Sequence, residues 1–446
     1  GGASRARLET GTFGTAGVAL AHTVPLGASR LDLGADFRRS DGHRAGTDYE
    51  TGQGRVALAV PISGRTLDAA VGYAARDFGA NGFYGSNPSW DEFEKTRATT
   101  ATVALRDDPA ADWAIEPVLS FRRHDDDFVL RRDDPSYYRN QHTTDQLGGR
   151  VGARYAASSA LRLATAAEAF VDRLESSSLG DRSEGRAAVL GEVAVGNIGA
   201  ATAVAGLRAD WHEAQGSFLS PSLSAAWWPA GSLRLRGSVG RALRTPTWTE
   251  RYYRDPANEG NPDLDPERSW SAEVGVDATP AAGVRAGLAL FQREADDLID
   301  WARPEASTEI WRTRNVESAT FRGLEAHLAA RLLAVDWLAQ GSWLSVSSAA
   351  AAGAESKYAL RPLVESVSLG AERRLPGGLA VALRGMRARR AGEEAYLRAD
   401  ARGSLTLSSV RIHLDLQNIG DTRYLDIAQV PAAGRSLLVG IEWSGR

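Results

Sequence analysis

Ten aromatic side chains fall in polar stretches between the apolar-alternating segments: Phe83, Tyr84, Trp90, Tyr137, Tyr138, Trp248, Tyr252, Tyr253, Trp301 and Trp311. Large rigid rings on polar loops can hold a bulky flat or macrocyclic ligand through contact area, with little rotamer entropy lost. The competing reading is that they pack loop against loop or anchor among lipid headgroups. A second cluster, Asp125, Asp126, Asp127, Asp133 and Asp134, offers hard carboxylate oxygens of the kind that hold calcium in a loop. Arg122, Arg123, Arg131 and Arg132 interleave with these acids and would pair with them instead. The spacing matches no defined calcium loop, so both readings stand.

Other chemistry is poorly supplied. The seven histidines (His22, His43, His124, His142, His212, His327 and His413) are scattered, and none sits in an HExxH pair. No G-x-S-x-G elbow, P-loop or dinucleotide fingerprint occurs. Without a nucleophile and base in any recognisable spacing, the reading is of a protein that is not an enzyme. There is no cysteine, which removes disulfide and thiolate chemistry. A net charge of −4 with no basic stripe argues against nucleic acid as a partner.

The elements that must position these residues are strands. Leu31, Leu33, Ala35 and Phe37 alternate with Arg30, Asp32, Asp36 and Arg38. Leu233, Leu235 and Val239 share a face opposite Arg234 and Arg236. Leu397, Ala399 and Ala401 alternate with Arg398, Asp400 and Arg402, and Ile412 and Leu414 with Arg411, His413 and Asp415. One face is greasy and the other charged throughout. No apolar run approaches the ~20 residues of a membrane helix.

Loop lengths decide which solvent meets the greasy face. Short connections fall near Pro25–Ser29, Ile62–Arg65, Asp108–Ala111, Ala157–Ser159, Asn197–Ala200, Pro229–Ser232, Thr279–Gly283, Leu332–Leu333, Leu375–Gly378 and Ser408–Ser409. Longer polar loops alternate with them: Ser40–Tyr49, Phe78–Lys95, Asp125–His142, Ser176–Glu184, Arg244–Arg268, Asp300–Glu317, Ser347–Lys357 and Asp421–Gly434. Short turns on one rim and long loops on the other describe an all-β, antiparallel transmembrane barrel of about 22 strands, occupying the whole chain as one domain. Its outer face meets outer-membrane lipid and lipopolysaccharide. Closure follows because an open sheet edge in hydrocarbon would leave backbone groups unpaired, so Ser436–Trp443 is expected to pair with Ser4–Phe13. Trp113, Tyr155, Trp211, Trp227, Trp228, Trp337, Trp343 and Trp443 are placed near strand ends, where aromatic girdles belong.

Three stretches carry a resemblance to a known family. RTPTWTERYYRDPANEGNPDLDPERSWSAEVGV, from Arg244, resembles the R-x-P-T…E-L-Y…G-N-P-x-L-x-P-E-x-S…E-x-G signature of TonB-dependent outer-membrane receptors. NVESATFRGLEAHL, from Asn315, resembles their N-x-x-x-A-x-x-x-G-x-E strand. LQNIGDTRYLDIAQVPAAGRSLLVGIEW, from Leu416, resembles their closing segment with its terminal aromatic strand. DFGANGFYG at Asp77–Gly85 and LESSSLGDRSEGRAAVLGEV at Leu174–Val193 resemble the vitamin B12 receptor type, in which calcium orders extracellular loops.

The resemblance implies import of a large scarce nutrient, a cobalamin-like corrinoid or an iron–siderophore, powered by the TonB-ExbB-ExbD system. Family members begin with a plug of roughly 130 residues that fills the ~22-strand lumen. Nothing here corresponds to it, so the plug is expected in cis or in trans from another polypeptide. GGASRARLETGTFG resembles the handover from plug to first strand. A periplasmic or surface lipoprotein is a further partner on this reading. On the lumen side, Arg30, Asp32, Asp36, Arg234, Arg236, Arg398, Asp400, Arg402, Arg411 and Asp415 are expected to meet a plug, or to line an aqueous channel without one. A passive pore and a structural barrel are the alternatives.

Overall fold

Alternating sequence becomes strand because a pleat sends successive side chains to opposite faces, and here each face has its own solvent. In the computed structural model, residues 2–83, 90–108, 110–255, 257–304, 309–348, 354–357, 362–426 and 430–445 are described. Among the described residues, twenty-four strands form one sheet. Two are brief additions at the mouth, Asn258–Glu259 and Ala354–Ser356, and the other 22 run antiparallel to their chain neighbours as a closed barrel.

Closure is explicit. Ser4–Gly11 pairs along its length with Ser436–Gly445, from Ser4 opposite Gly445 to Gly11 opposite Leu438. The Thr12 amide donates to the Leu437 carbonyl at 2.9 Å beyond the last ladder pair. No sheet edge is left to lipid along this seam, where each unpaired group would cost several kcal/mol.

The greasy face is outermost. Leu8 is 60 % exposed, Leu119 65 % and Leu147 63 %, the reverse of a soluble sandwich, whose apolar face would be its interior. Trp211 stands opposite Ser217, and Trp227 lies ten residues further along that second strand. Ten residues at ~3.3 Å each, tilted by about 40°, set the two exposed indoles about 25 Å apart across the membrane, the height of the apolar band of such barrels. Trp113 stacks on Tyr155 with centroids 4.4 Å apart at the short-turn rim.

The short turns lie where the sequence placed them. Ser63 and Gly64 both take positive φ, as a two-residue hairpin turn requires. The long-loop rim departs from expectation. Asp125–His142 and Asp300–Glu317 were expected as loops, yet strands continue to Val129 and Pro304 and resume at Arg139 and Trp311. Trp311–Leu332, at 22 residues, is about 70 Å long at ~3.3 Å per residue, roughly twice what a bilayer needs. The barrel wall therefore stands well above the hydrocarbon on this side. Arg244–Arg268 is likewise more ordered than expected, enclosing the helical turn Trp248–Tyr252.

Charge gathers inside the seam. Glu9 pairs with Arg38 and faces the His413 ring across Gly440, with His413 Nε2 at 3.5 Å. A Cβ on Gly440 would lie 2.2 Å from His413 Cε1. Gly440→Val should therefore block closure, reducing the compact fast-migrating band of unheated barrel on denaturing gels. On the lipid face, Leu119→Arg near mid-membrane should cost about 2–4 kcal/mol in urea unfolding from lipid vesicles. An unchanged midpoint would mean that this face does not meet hydrocarbon.

Candidate functional site at the mouth of the barrel

The long-loop rim is organised by ion pairs. Arg244, ending its strand, donates to Glu250 at 3.0 Å and to Glu267 at 2.6 Å. Thr247 caps the helical turn: the Glu250 amide donates to Thr247 Oγ1 at 3.2 Å, and the Glu250 carboxylate accepts from the Thr247 amide at 2.7 Å. Thr313 Oγ1 donates to the Glu250 carbonyl at 2.7 Å and ties the turn to the tall wall. Gly260 packs so closely that a Cβ would sit 2.8 Å from the Tyr252 amide, which explains a glycine there.

With the turn fixed, a cavity of about 500 Å³ opens between it and the inner wall. The wall contributes through register. His124 is opposite Thr144, Asp126 opposite His142, and Phe128 opposite Asn140, so three residues from each strand share the inward face. Glu94, Leu174 and Leu179 complete this side. The other side is Trp248, Tyr253, Asp255, Asn258, Trp301 and Lys357. Tyr253 meets Trp301 edge to face at 6.4 Å, and its hydroxyl lies 2.9 Å from that of Tyr138. Asn140 Nδ2 donates to the Tyr138 hydroxyl at 3.1 Å.

Two cavity-lining residues carry buried polar atoms with no hydrogen-bond partner, Asp126 Oδ1 and Trp248 Nε1. This level lies above the hydrocarbon, since Arg123, Asp125 and Asp127 occupy the outward positions of the same strand. Burial, reinforced by Glu94 and Asp127, pushes the Asp126 carboxyl up to about 7. Burial also holds the His142 and His124 imidazoles toward their neutral forms and lowers the Lys357 ammonium. The Tyr253 phenol is raised by burial and by the Tyr138 hydroxyl.

Of the ten aromatics singled out from sequence, the cavity unites Trp248, Tyr253 and Trp301, with Tyr138 bonded just behind. Tyr252 lies under the Arg182 guanidinium, 3.2 Å from it, and Trp311 under Arg303 at 4.2 Å. Tyr137 carries Arg131 at 5.3 Å and is exposed, as is Phe83. Trp90 is half-buried in its loop. Tyr84 lies outside the described residues.

The five acids are not brought together. Asp127 is held by Arg139 at 2.6 and 2.7 Å, Asp125 accepts from Thr143 at 2.8 Å, Asp133 pairs with Arg131 at 3.3 Å, and Asp134 accepts from Ser136 at 2.6 Å. Asp126 alone lines the cavity. Among the described residues no group of three or more His, Cys, Asp or Glu is placed to hold a metal ion.

The lumen charges pair along the wall. Arg30 meets Asp32 at 2.9 Å, Arg398 meets Asp400 at 2.9 Å, and Arg402 grips Asp415 at 2.5 and 2.7 Å. Arg236 reaches Glu273 and Asp277, which Arg234 also approaches at 3.7 Å. Asp36 lies 3.8 Å from Arg7, and Arg411 donates to Thr406 at 3.4 Å.

Sequence reasoning missed Glu94, His124, Asn140 and His142. The signal was the inward i, i+2 series on two strands, which becomes a site only once the register is known.

Folding raises the proton affinity of Asp126, so its contribution to stability is greatest near the ordinary aspartate value, falls as pH rises toward about 7, and is least above that. Asp126→Asn should flatten the decline in melting temperature between pH 5 and 8. An unaltered slope would place the titration elsewhere.

The chain matches the family described as TonB dependent receptor-like, beta-barrel over residues 24–411. It is 31% identical over 124 residues to the vitamin B12 transporter BtuB of Vibrio vulnificus, covering 28% of this chain and 19% of that protein. It is 29% identical over 121 residues to BtuB of Photobacterium profundum, covering 27% and 19%. The matched stretch thus spans about a fifth of these curated relatives. Among solved structures, the copper transporter OprC superimposes with a TM-score of 0.85 at 14% identity, covering 100% of this chain and 80% of that one. The siderophore receptor PirA of Pseudomonas aeruginosa superimposes with a TM-score of 0.79 at 15% identity, again over 100% and 80%. At such identities the likeness is one of fold.

Proposed function

The chain belongs to the TonB-dependent receptor β-barrel family and is an outer-membrane barrel, and from that premise we propose that it captures a large scarce nutrient at its mouth and conducts it inward. The ligand is a cobalamin-like corrinoid or an iron–siderophore, the cargoes named for its relatives and structural neighbours. Energy reaches the barrel through the TonB system when a plug, in cis or in trans, occupies the lumen. The observation that carries this reading is the cavity itself. A barrel that only scaffolds or leaks has no need of a half-enclosed chamber with aromatic walls and unsatisfied polar atoms at its mouth.

Mutual pairing of the lumen charges favours a second reading, a passive pore, because a wall satisfied within itself needs no plug to complete it. Planar-bilayer conductance of the purified chain separates the two. Current that falls when cyanocobalamin or a ferric siderophore is added on the long-loop side supports the receptor. Large steady openings indifferent to both would establish the pore.

A further inference from the structure

Leu333 is the most exposed large hydrophobic side chain among the described residues, at 94 %. It stands at the tip of the turn joining Trp311–Leu332 to Val335–Ser348, where both it and Ala334 take positive φ, 54° and 59°. A two-residue hairpin turn asks for that backbone, which asparagine and glycine adopt readily and a leucine adopts at a cost. The turn therefore holds a greasy side chain out at the rim in a conformation that does not suit it.

The neighbouring rim is apolar as well. The adjacent short turns read Pro280-Ala281-Ala282-Gly283 and Leu375-Pro376-Gly377-Gly378, with no charged residue in either. On the outward face Leu332 lies opposite Val335, Val335 opposite Arg373, and Arg373 opposite Val381, so one guanidinium stands in a row of lipid-facing aliphatics. Arg373 is exposed, and among the described residues it has neither a hydrogen bond nor an ion pair. Arg331 and Arg374 flank it, held only loosely by Asp336 at 3.7 Å and Glu372 at 3.4 Å. Nearly opposite on the barrel the contrast is complete: the turn before Trp113 carries Asp107, Asp108 and Asp112.

Trp337, the girdle residue on this side, is four residues from Leu333, about 10 Å along the membrane normal at ~3.3 Å per residue and a tilt of about 40°. The headgroup layer is only about 5–8 Å thick on each side, so an upright barrel would carry Leu333 through it into water.

We propose that the turns at Pro280–Gly283, Leu332–Val335 and Leu375–Gly378 are seated in the phospholipid leaflet, with Leu333 among acyl chains and Arg373 on the phosphate of an anionic headgroup, so that the barrel stands tilted with this side deepest. An apolar tip, a basic flank and continuity with the lipid-facing wall are together what an anionic lipid surface attracts. The acidic turn before Trp113 is repelled by the same surface and stays in water. Burial of Leu333 in lipid offsets the strain of its backbone. The seating is the same whether the barrel is a receptor or a pore.

The chain has no cysteine, so single thiols can be placed at will. Nitroxide labels on Leu333→Cys and, for reference, on Ala110→Cys in the acidic turn are compared in vesicles of phosphatidylethanolamine and phosphatidylglycerol. Collisions are measured with oxygen, which concentrates in lipid, and with a neutral nickel chelate, which stays in water. The oxygen-to-nickel ratio should be roughly threefold higher at position 333 than at position 110. Exchanging phosphatidylglycerol for phosphatidylcholine should lower the ratio at 333, and adding Arg373→Gln should remove that dependence. Gel mobility of the unheated variants verifies that each barrel is folded.

Equal ratios at the two positions would put this rim in water, overturn the proposal and leave the apolar turns to a protein partner. A high ratio at 333 that ignores both phosphatidylglycerol and Arg373→Gln would overturn the headgroup assignment.

Discussion

Hydrocarbon offers no hydrogen bonds, and the architecture follows from that single fact. Each strand crossing the bilayer must give all its amides and carbonyls to neighbours, and the sheet must therefore meet itself. The ladder between Ser4–Gly11 and Ser436–Gly445 is where it does so. Once the backbone is satisfied by closure, side chains are sorted by solvent alone: leucines and valines outward to lipid, arginines and aspartates inward. Gly440 shows how tight the seam is, since the His413 ring occupies the space where any side chain would project.

The same sorting explains what could be read in advance. Between the girdles, apolar and polar residues alternate because the two faces meet different media, so strands, turns and closure were evident from segments such as Leu31–Arg38 and Val410–Asp415. Above the lipid both faces meet water or protein, and the contrast disappears. Asp125, Asp126 and Asp127 then look like a loop, and Trp301 and Trp311 like loop aromatics, although all five sit in strands. Three consecutive aspartates that suggested one ion site are divided by the pleat, with only Asp126 turned inward. The cavity was invisible for a related reason: His124, Asp126, Asn140 and His142 are joined by a pairing of strands that local sequence does not encode.

Charge is handled differently at the two levels of the barrel. In the lumen Arg402 and Asp415, or Arg398 and Asp400, neutralise each other across or along strands. Such pairs keep a wide channel polar without a strong net field. At the mouth, burial by the folded-in loop carrying Trp248 and Tyr253 raises the cost of every polar group, so Asp126 drifts toward its neutral form. That change in dielectric setting separates a surface that merely tolerates water from one able to select a guest.

The seam also governs the order in which the molecule can be made. Adjacent hairpins such as Arg30–Ile62 need only local contacts to pair. The pairing of Ser4–Gly11 with Ser436–Gly445 joins segments more than 420 residues apart in sequence, a very non-local contact that forms slowly. Until Ser436–Gly445 is in place, Ser4–Gly11 has an unfilled edge, vulnerable to mispairing with another copy.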